Sequence, residues 1–205
     1  SDQLLSGVTP LPSLMALGAA WDVDITYQTG QILGRDLSAL GVNLLLGPSL
    51  DVLDETYREG ISDLGTRTFG GDPYWVSRLG QAYVAGVHSG SANRVAVVAK
   101  HFPGMGSSDR DPQAEIPTVR KSLEQLKRVE LAPFFGVTGG APQAEAMVDG
   151  LYLSHIRYQG FQGNIRDITT RPISFDQSAL SDILKLDLFN QWRTGGGLLV
   201  SDNLG

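Results

Sequence analysis

The sequence predicts an α/β domain on a parallel sheet, part of a (β/α)8 TIM-barrel-like fold with about four βα units present. Three observations predict it. Four short, continuous apolar runs have the length of buried strands: Val42 to Leu46, Val95 to Ala99, Leu151 to Leu153 with the lead-in Met147-Val148, and Gly197 to Val200. Segments of helical spacing alternate with them, and such alternation demands right-handed crossovers between parallel strands. Ionisable residues stand just past the carboxyl ends of all four runs: Asp51, Lys100 with His101, His155 and Asp202. An open doubly wound sheet binds its ligand at one switch point, whereas a barrel draws site residues from many strand ends, so the barrel is favoured.

The helices follow from spacing and caps. Between Trp21 and Leu40, Ile25, Ile32, Leu33 and Leu37 recur mostly every three, four or seven residues, and Gly41 follows where a helix-terminating glycine belongs. Asp72-Pro73 supplies an N-cap and a first-turn proline ahead of Val76, Leu79, Tyr83 and Val87. Ser122 opens a third helix with Leu123, Leu126 and Val129; Asp176 opens a fourth with Leu180, Ile183, Leu184 and Leu188. Continuous apolar strands are expected to be covered on both faces. Glycine, at 25 of 205 residues, exceeds the roughly 7% average and implies many tight turns. A closed eightfold barrel takes about 250 residues, so residues 1–205 are expected to be one partial barrel domain, with no second domain among them.

Composition narrows the function classes. Sixteen Lys and Arg against twenty-two Asp and Glu give a net charge of -6, which disfavours nucleic acid and acidic membranes as partners. With no cysteine there is no disulfide framework and no thiolate metal site, a silence that fits the cytoplasm and a cysteine-free secreted protein equally. No run approaches the roughly 20 apolar residues of a membrane span, and Ser1 to Gly7 lacks the pattern of a signal peptide. Three scattered histidines give no metal spacing, and neither a phosphate loop nor a dinucleotide fingerprint follows any strand, so no metal and no cofactor are expected.

The strongest local signal is Lys100-His101-Phe102-Pro103-Gly104-Met105-Gly106, where an apolar strand ends abruptly in a cation, an imidazole and a turn. On the residues alone, Lys100 and His101 either solvate a surfaced strand end or serve a site. The segment resembles the Lys-His-Phe-Pro-Gly-x-Gly signature of family 3 glycoside hydrolases. Thr9 to Pro12 and Leu14 to Trp21 resemble that family's early helix, Pro48-Ser49-Leu50-Asp51-Val52 its Pro-x-x-Asp-Val strand end, and Arg67-Thr68-Phe69-Gly70-Gly71-Asp72-Pro73 its Arg-x-Phe-Gly-x-Asp-Pro. Leu131-Ala132-Pro133-Phe134 matches its Leu-x-Pro-Phe, and Val200 to Leu204 the strand that ends in its catalytic aspartate. All six occur in order across nearly the whole chain.

The resemblance implies a retaining exo-β-glycosidase, β-N-acetylhexosaminidase-like or β-glucosidase-like, with Asp202 as nucleophile. A retaining enzyme needs a carboxylate beneath the anomeric carbon and a proton donor across the scissile bond. Ser-Asp-Asn after a strand is also ordinary helix-capping chemistry, the alternative for Asp202. Asp51, Arg67, Lys100 and His101 would grip sugar hydroxyls; the competing role for Asp51 and Arg67 is a buried ion pair that orders loops. The Lys100-His101 and Phe102-Pro103 peptide bonds are implied to be cis. His155 is read either as a ligand contact or as a buttress of the sugar site, and His88 as a surface residue.

The sequence departs from the β-N-acetylglucosaminidase branch in one loop. Where that branch carries Asp-Ser-His with histidine as acid and base, this chain reads Asp111-Pro112-Gln113, and Met105 stands where the branch often has histidine. An amide does not titrate near neutral pH, which leaves Asp111, with Asp109 and Glu115, as loop carboxylates for the acid role, unless a following domain of the same chain supplies it. A catalytically impaired carbohydrate-binding or scaffold protein is the alternative. Bacterial family members occur in the cytoplasm and outside the membrane; the compartment stays open, with a lean to extracytoplasmic.

Overall fold

The structure, a computed structural model, describes residues 8–54, 64–111 and 115–203. Two helices lead in. In α1 (Leu14–Ala20) the Ser13 side chain caps the first turn, and in α2 (Val23–Ala39) the Asp22 carboxylate accepts from the amides of Asp24 and Ile25. Strand β1 (Leu44–Ser49) follows, then α3 (Pro73–Ser91), capped by Asp72 with Pro73 in its first turn, then β2 (Ala96–Phe102). A two-residue strand, β3 (Thr118–Val119), precedes α4 (Leu123–Arg128), whose Ser122 and Gln125 form a reciprocal capping box, and α5 (Ala132–Gly136). The chain continues through β4 (Gly150–Leu153), β5 (Arg157–Tyr158), α6 (Gln159–Gln162), α7 (Gln177–Leu184), α8 (Asp187–Thr194) and β6 (Leu198–Ser201).

The main sheet is parallel in the order β1-β2-β4-β6, so each strand lies beside the next one that joins the sheet, like successive staves of a barrel. A small parallel pair, β3-β5, sits apart. Leu45, Val97, Ala99, Leu151, Leu153 and Leu199 face the helices and join one core with Phe102, Phe134, Phe189 and Trp192.

Three expectations need correction. Among the described residues the sheet is covered on one face more than on the other: Leu44, Leu46 and Leu198 are 47%, 42% and 57% exposed, while Leu45 and Leu199 on the opposite face pack on the core. The fourth helix is two helices, since the chain leaves α7 at Lys185 and starts α8 at Asp187, placing Leu188 on a separate element. Glycines do mark turns, with Gly41, Gly65, Gly70, Gly104, Gly163 and Gly196 at positive φ, and several others serve helix contact. A Cβ on Gly34 would lie 2.3 Å from the Val87 carbonyl oxygen, and one on Gly86 2.2 Å from that of Tyr27, so α2 and α3 touch backbone to backbone.

The third correction is His88, which is buried at 6% exposure. Its Nδ1 lies 2.8 Å from the Glu145 carbonyl oxygen and its Nε2 3.0 Å from Asp149 Oδ2, which also accepts from the Val97 amide at 2.7 Å. Both partners only accept, so both ring nitrogens donate and the ring is an imidazolium. Burial alone would lower the His88 pKa, but the hydrogen bonds to Asp149 and Glu145 and their charges outweigh it and raise the value.

Candidate active site

The carboxyl edge of the main sheet collects the residues singled out in the sequence. Asp51 stands two residues past β1, His155 two residues past β4, and Asp202 one residue past β6; Lys100 and His101 lie within β2, because that strand pairs onward past its apolar part through Ser49↔Lys100 and Phe102↔Leu153. The peptide bonds Gly47-Pro48, Lys100-His101 and Phe102-Pro103 are cis. Arg67 ends a short 3-10 turn, Gly65–Arg67, beside α1, and is half-buried.

Asp51 is fully buried. Its Oδ2 accepts from Ser49 Oγ at 2.6 Å and meets His101 Nδ1 at 2.7 Å, while Oδ1 accepts from the Met105 amide at 2.8 Å. Burial alone would raise the carboxyl pKa; the His101 ring and these three hydrogen bonds reverse that and hold it below the usual range. The carboxylate thus fixes an imidazole and the start of the glycine loop at once.

From His101 the site runs on through Tyr152. The two rings meet edge to face with centroids 6.3 Å apart, and the Tyr152 hydroxyl donates to Asp202 Oδ1 at 2.6 Å. The Asn203 amide donates to the same oxygen at 2.6 Å. Burial, and then the adjacent carboxylate, push the Tyr152 hydroxyl up to about 12, so it is a neutral donor at physiological pH. Asp51, His101, Tyr152 and Asp202 therefore form one line across the ends of β1, β2, β4 and β6. Sequence reasoning missed Tyr152, which reads as one more residue of a core strand. The usable signal was alternation: with Leu151 and Leu153 facing the helices, Tyr152 points to the other face.

His155 buttresses the segment that follows Asp202. Its Nε2 donates to the Asn203 carbonyl oxygen at 2.8 Å, its Nδ1 lies 2.6 Å from Ser174 Oγ, and its ring stacks on Phe175 at 5.1 Å.

The loop after the glycine signature is tied down at its root. A Cβ on Gly106 would fall 1.9 Å from the Val52 carbonyl oxygen, and Gly104, at φ 114°, would place one 2.9 Å from Glu130 Cβ; these contacts are the physical reason for both glycines. Beneath the loop, buried Glu130 accepts from Ser107 Oγ at 2.5 Å and from Lys121 Nζ at 2.6 Å, and Lys121 reaches Asp54 Oδ2 at 2.7 Å. Burial alone would lower the Lys121 pKa, but its bonds to Asp54 and Glu130 and their charges raise it instead. Of the three loop carboxylates, Asp109 accepts from the Thr118 amide and pairs with Arg110 and Arg120, and Glu115 pairs with Arg110 at 2.7 Å. Asp111 is half-buried in the same loop, and Gln113 lies outside the described residues.

A cavity of about 750 Å³ opens at the opposite end of the sheet, lined among others by His88, Asp149 and Trp192, and contains none of the residues above. Among the described residues no group of three or more His, Cys, Asp or Glu is placed to hold a metal ion, and no helix is long and apolar enough to cross a membrane.

Acids and imidazoles drawn together at the carboxyl edge of a parallel sheet packed on helices are the strand-end arrangement of an α/β domain of the barrel class. The family described as "Glycosyl hydrolase family 3 N terminal domain" matches residues 1–205, and the chain belongs to that family. A beta-hexosaminidase of Thiobacillus denitrificans is 31% identical over 188 residues, covering 89% of this chain and 47% of the relative. One of Pseudomonas aeruginosa is 27% identical over 203 residues, covering 98% of this chain and 53% of the relative. Among solved structures, a family 3 beta-N-acetylglucosaminidase from Paenibacillus sp. superposes with a TM-score of 0.82 at 32% identity, covering 98% of this chain and 34% of that one. The chain spans about half the length of the curated relatives it matches.

Proposed function

We propose that the full-length protein hydrolyses a β-O-glycosidic bond with retention, removing a terminal sugar of the β-N-acetylhexosamine or β-glucose type. The observation that carries this reading is the line from buried Asp51 through His101 and Tyr152 to Asp202 at four adjacent strand ends. Arg67, Lys100 and His101 offer donors to sugar hydroxyls, and Asp51 acts through His101 by fixing its ring. His155 holds the chain behind Asp202.

In the first step a carboxylate oxygen of Asp202 attacks the anomeric carbon; the bond to the aglycone breaks, and its electron pair leaves with the aglycone oxygen, which takes a proton from the acid. Asp111, half-buried in the loop after the glycine signature, is the carboxylate assigned to that task. In the second step water attacks the same carbon, its proton passes to the base, and the ester electron pair returns to Asp202.

The test is the full-length protein with activated aryl N-acetyl-β-glucosaminides and aryl β-glucosides, whose leaving groups need little acid help. Turnover that Asp202→Asn abolishes is the expected result. Absence of both aryl release and a covalent adduct on either sugar overturns hydrolysis, and sugar binding without turnover would identify an impaired carbohydrate binder instead.

A further inference from the structure

Among the described residues, both hydrogen bonds to the Asp202 carboxylate fall on one oxygen. Oδ1 accepts from the Tyr152 hydroxyl and from the Asn203 amide, each at 2.6 Å. The other oxygen, Oδ2, is the one left to attack. Tyr152 itself is held in place: its strand pairs in register with β6 through Tyr152↔Val200 and Leu153↔Ser201, and its ring abuts His101. The hydroxyl therefore approaches the carboxylate from a fixed direction.

Resting on the glycosidase reading above, we infer that Tyr152 is a positioning residue that sets the balance between forming and releasing the glycosyl-enzyme, by donating to the non-attacking oxygen of Asp202. A hydrogen bond to a full carboxylate charge is stronger than one to an ester carbonyl. In the first step the Asp202 charge is consumed as the bond from Oδ2 to the anomeric carbon forms, so the Tyr152 hydrogen bond weakens and restrains that step. In the second step the same bond breaks and its electron pair returns to the carboxylate while water supplies the new oxygen on the sugar. The Tyr152 bond strengthens as that charge develops, so it favours release. The side chain thus makes Asp202 a weaker nucleophile and a better leaving group.

Tyr152→Phe in the full-length protein, assayed with a dinitrophenyl glycoside for which release is the slow step, separates the two effects. The expected result is a fall in kcat of roughly 10- to 100-fold, the scale of a hydrogen bond to a charged group, with KM falling at least as far and kcat/KM unchanged or raised. A stoichiometric burst of dinitrophenol and an accumulated glycosyl-enzyme in the intact mass spectrum should accompany it. Tyr152→Met, which also lacks the hydroxyl, should show the same split. Loss of kcat and kcat/KM together without a burst, or unchanged kinetics, overturns the inference. A second arm does not depend on turnover: at neutral pH the ring carbon bearing the Tyr152 hydroxyl should shift in its NMR resonance when Asp202→Asn is introduced, and an unmoved resonance overturns the contact. If the parent protein releases no dinitrophenol, the glycosidase reading falls, and the NMR arm still decides whether Tyr152 is bound to Asp202.

Discussion

Asp51 and His101, fifty positions apart in the chain, meet at 2.7 Å, the carboxylate wholly buried and the imidazole 19% exposed. The strand that leads into Asp51 and the strand that carries His101 are neighbours in the sheet. A buried acid thereby points an imidazole at the open edge.

This pairing makes Asp51 a source of acid-sensitive stability. Its folded pKa lies below the ordinary value of about 3.9, so its contribution is fully present above that pH and is lost as pH falls through the folded value. Asp51→Asn should cost about 2 kcal/mol at pH 7, the scale of hydrogen bonds to a charged group, and the gap from the parent should shrink toward pH 3. Urea unfolding at both pH values measures it; a gap independent of pH would show that the charge is not what stabilises the pair.

His88 carries the opposite sign. Its folded pKa is raised, so its contribution is complete below the unfolded value of about 6.5 and is lost as pH rises through the folded value. The parent should lose stability on going from pH 6 to pH 9 by an amount absent in His88→Gln, with thermal melting across that range as the readout. Identical slopes in the two proteins would refute the imidazolium assignment.

Much of the sheet was legible because the apolar runs are too short for helices and stand between helical segments, and capping residues such as Asp72 and Ser122 mark helix starts locally. What escaped notice depends on partners distant in sequence. The buried His88 is satisfied by residues 57 and 61 positions away, and nothing in its own neighbourhood forecasts them. Strands β3 and β5 have two residues each, too few for any periodicity. Asp51, Lys100, His101, His155 and Asp202 were readable as strand-end residues, but Tyr152 was hidden by its apolar flanks, and only the pairing of β4 with β6 brings it to Asp202.

Lys121 and Glu130 should behave as a unit under the glycine loop. Lys121→Met strands the Glu130 carboxylate in a buried setting and is expected to cost roughly 3–5 kcal/mol, whereas Lys121→Met combined with Glu130→Leu should recover a large part of that loss. Chemical denaturation of the two single variants and the double variant gives the coupling directly. Simple additivity would mean that the two charges do not depend on each other.

The backbone contacts of Gly104 and Gly106 also decide where motion can begin. With Gly106 set against Val52 and Gly104 against Glu130, the first turn after β2 has no room to act as a hinge. The root of the loop is therefore set by packing against Val52 and Glu130 before any ligand arrives, and the imidazole end of the site keeps its shape.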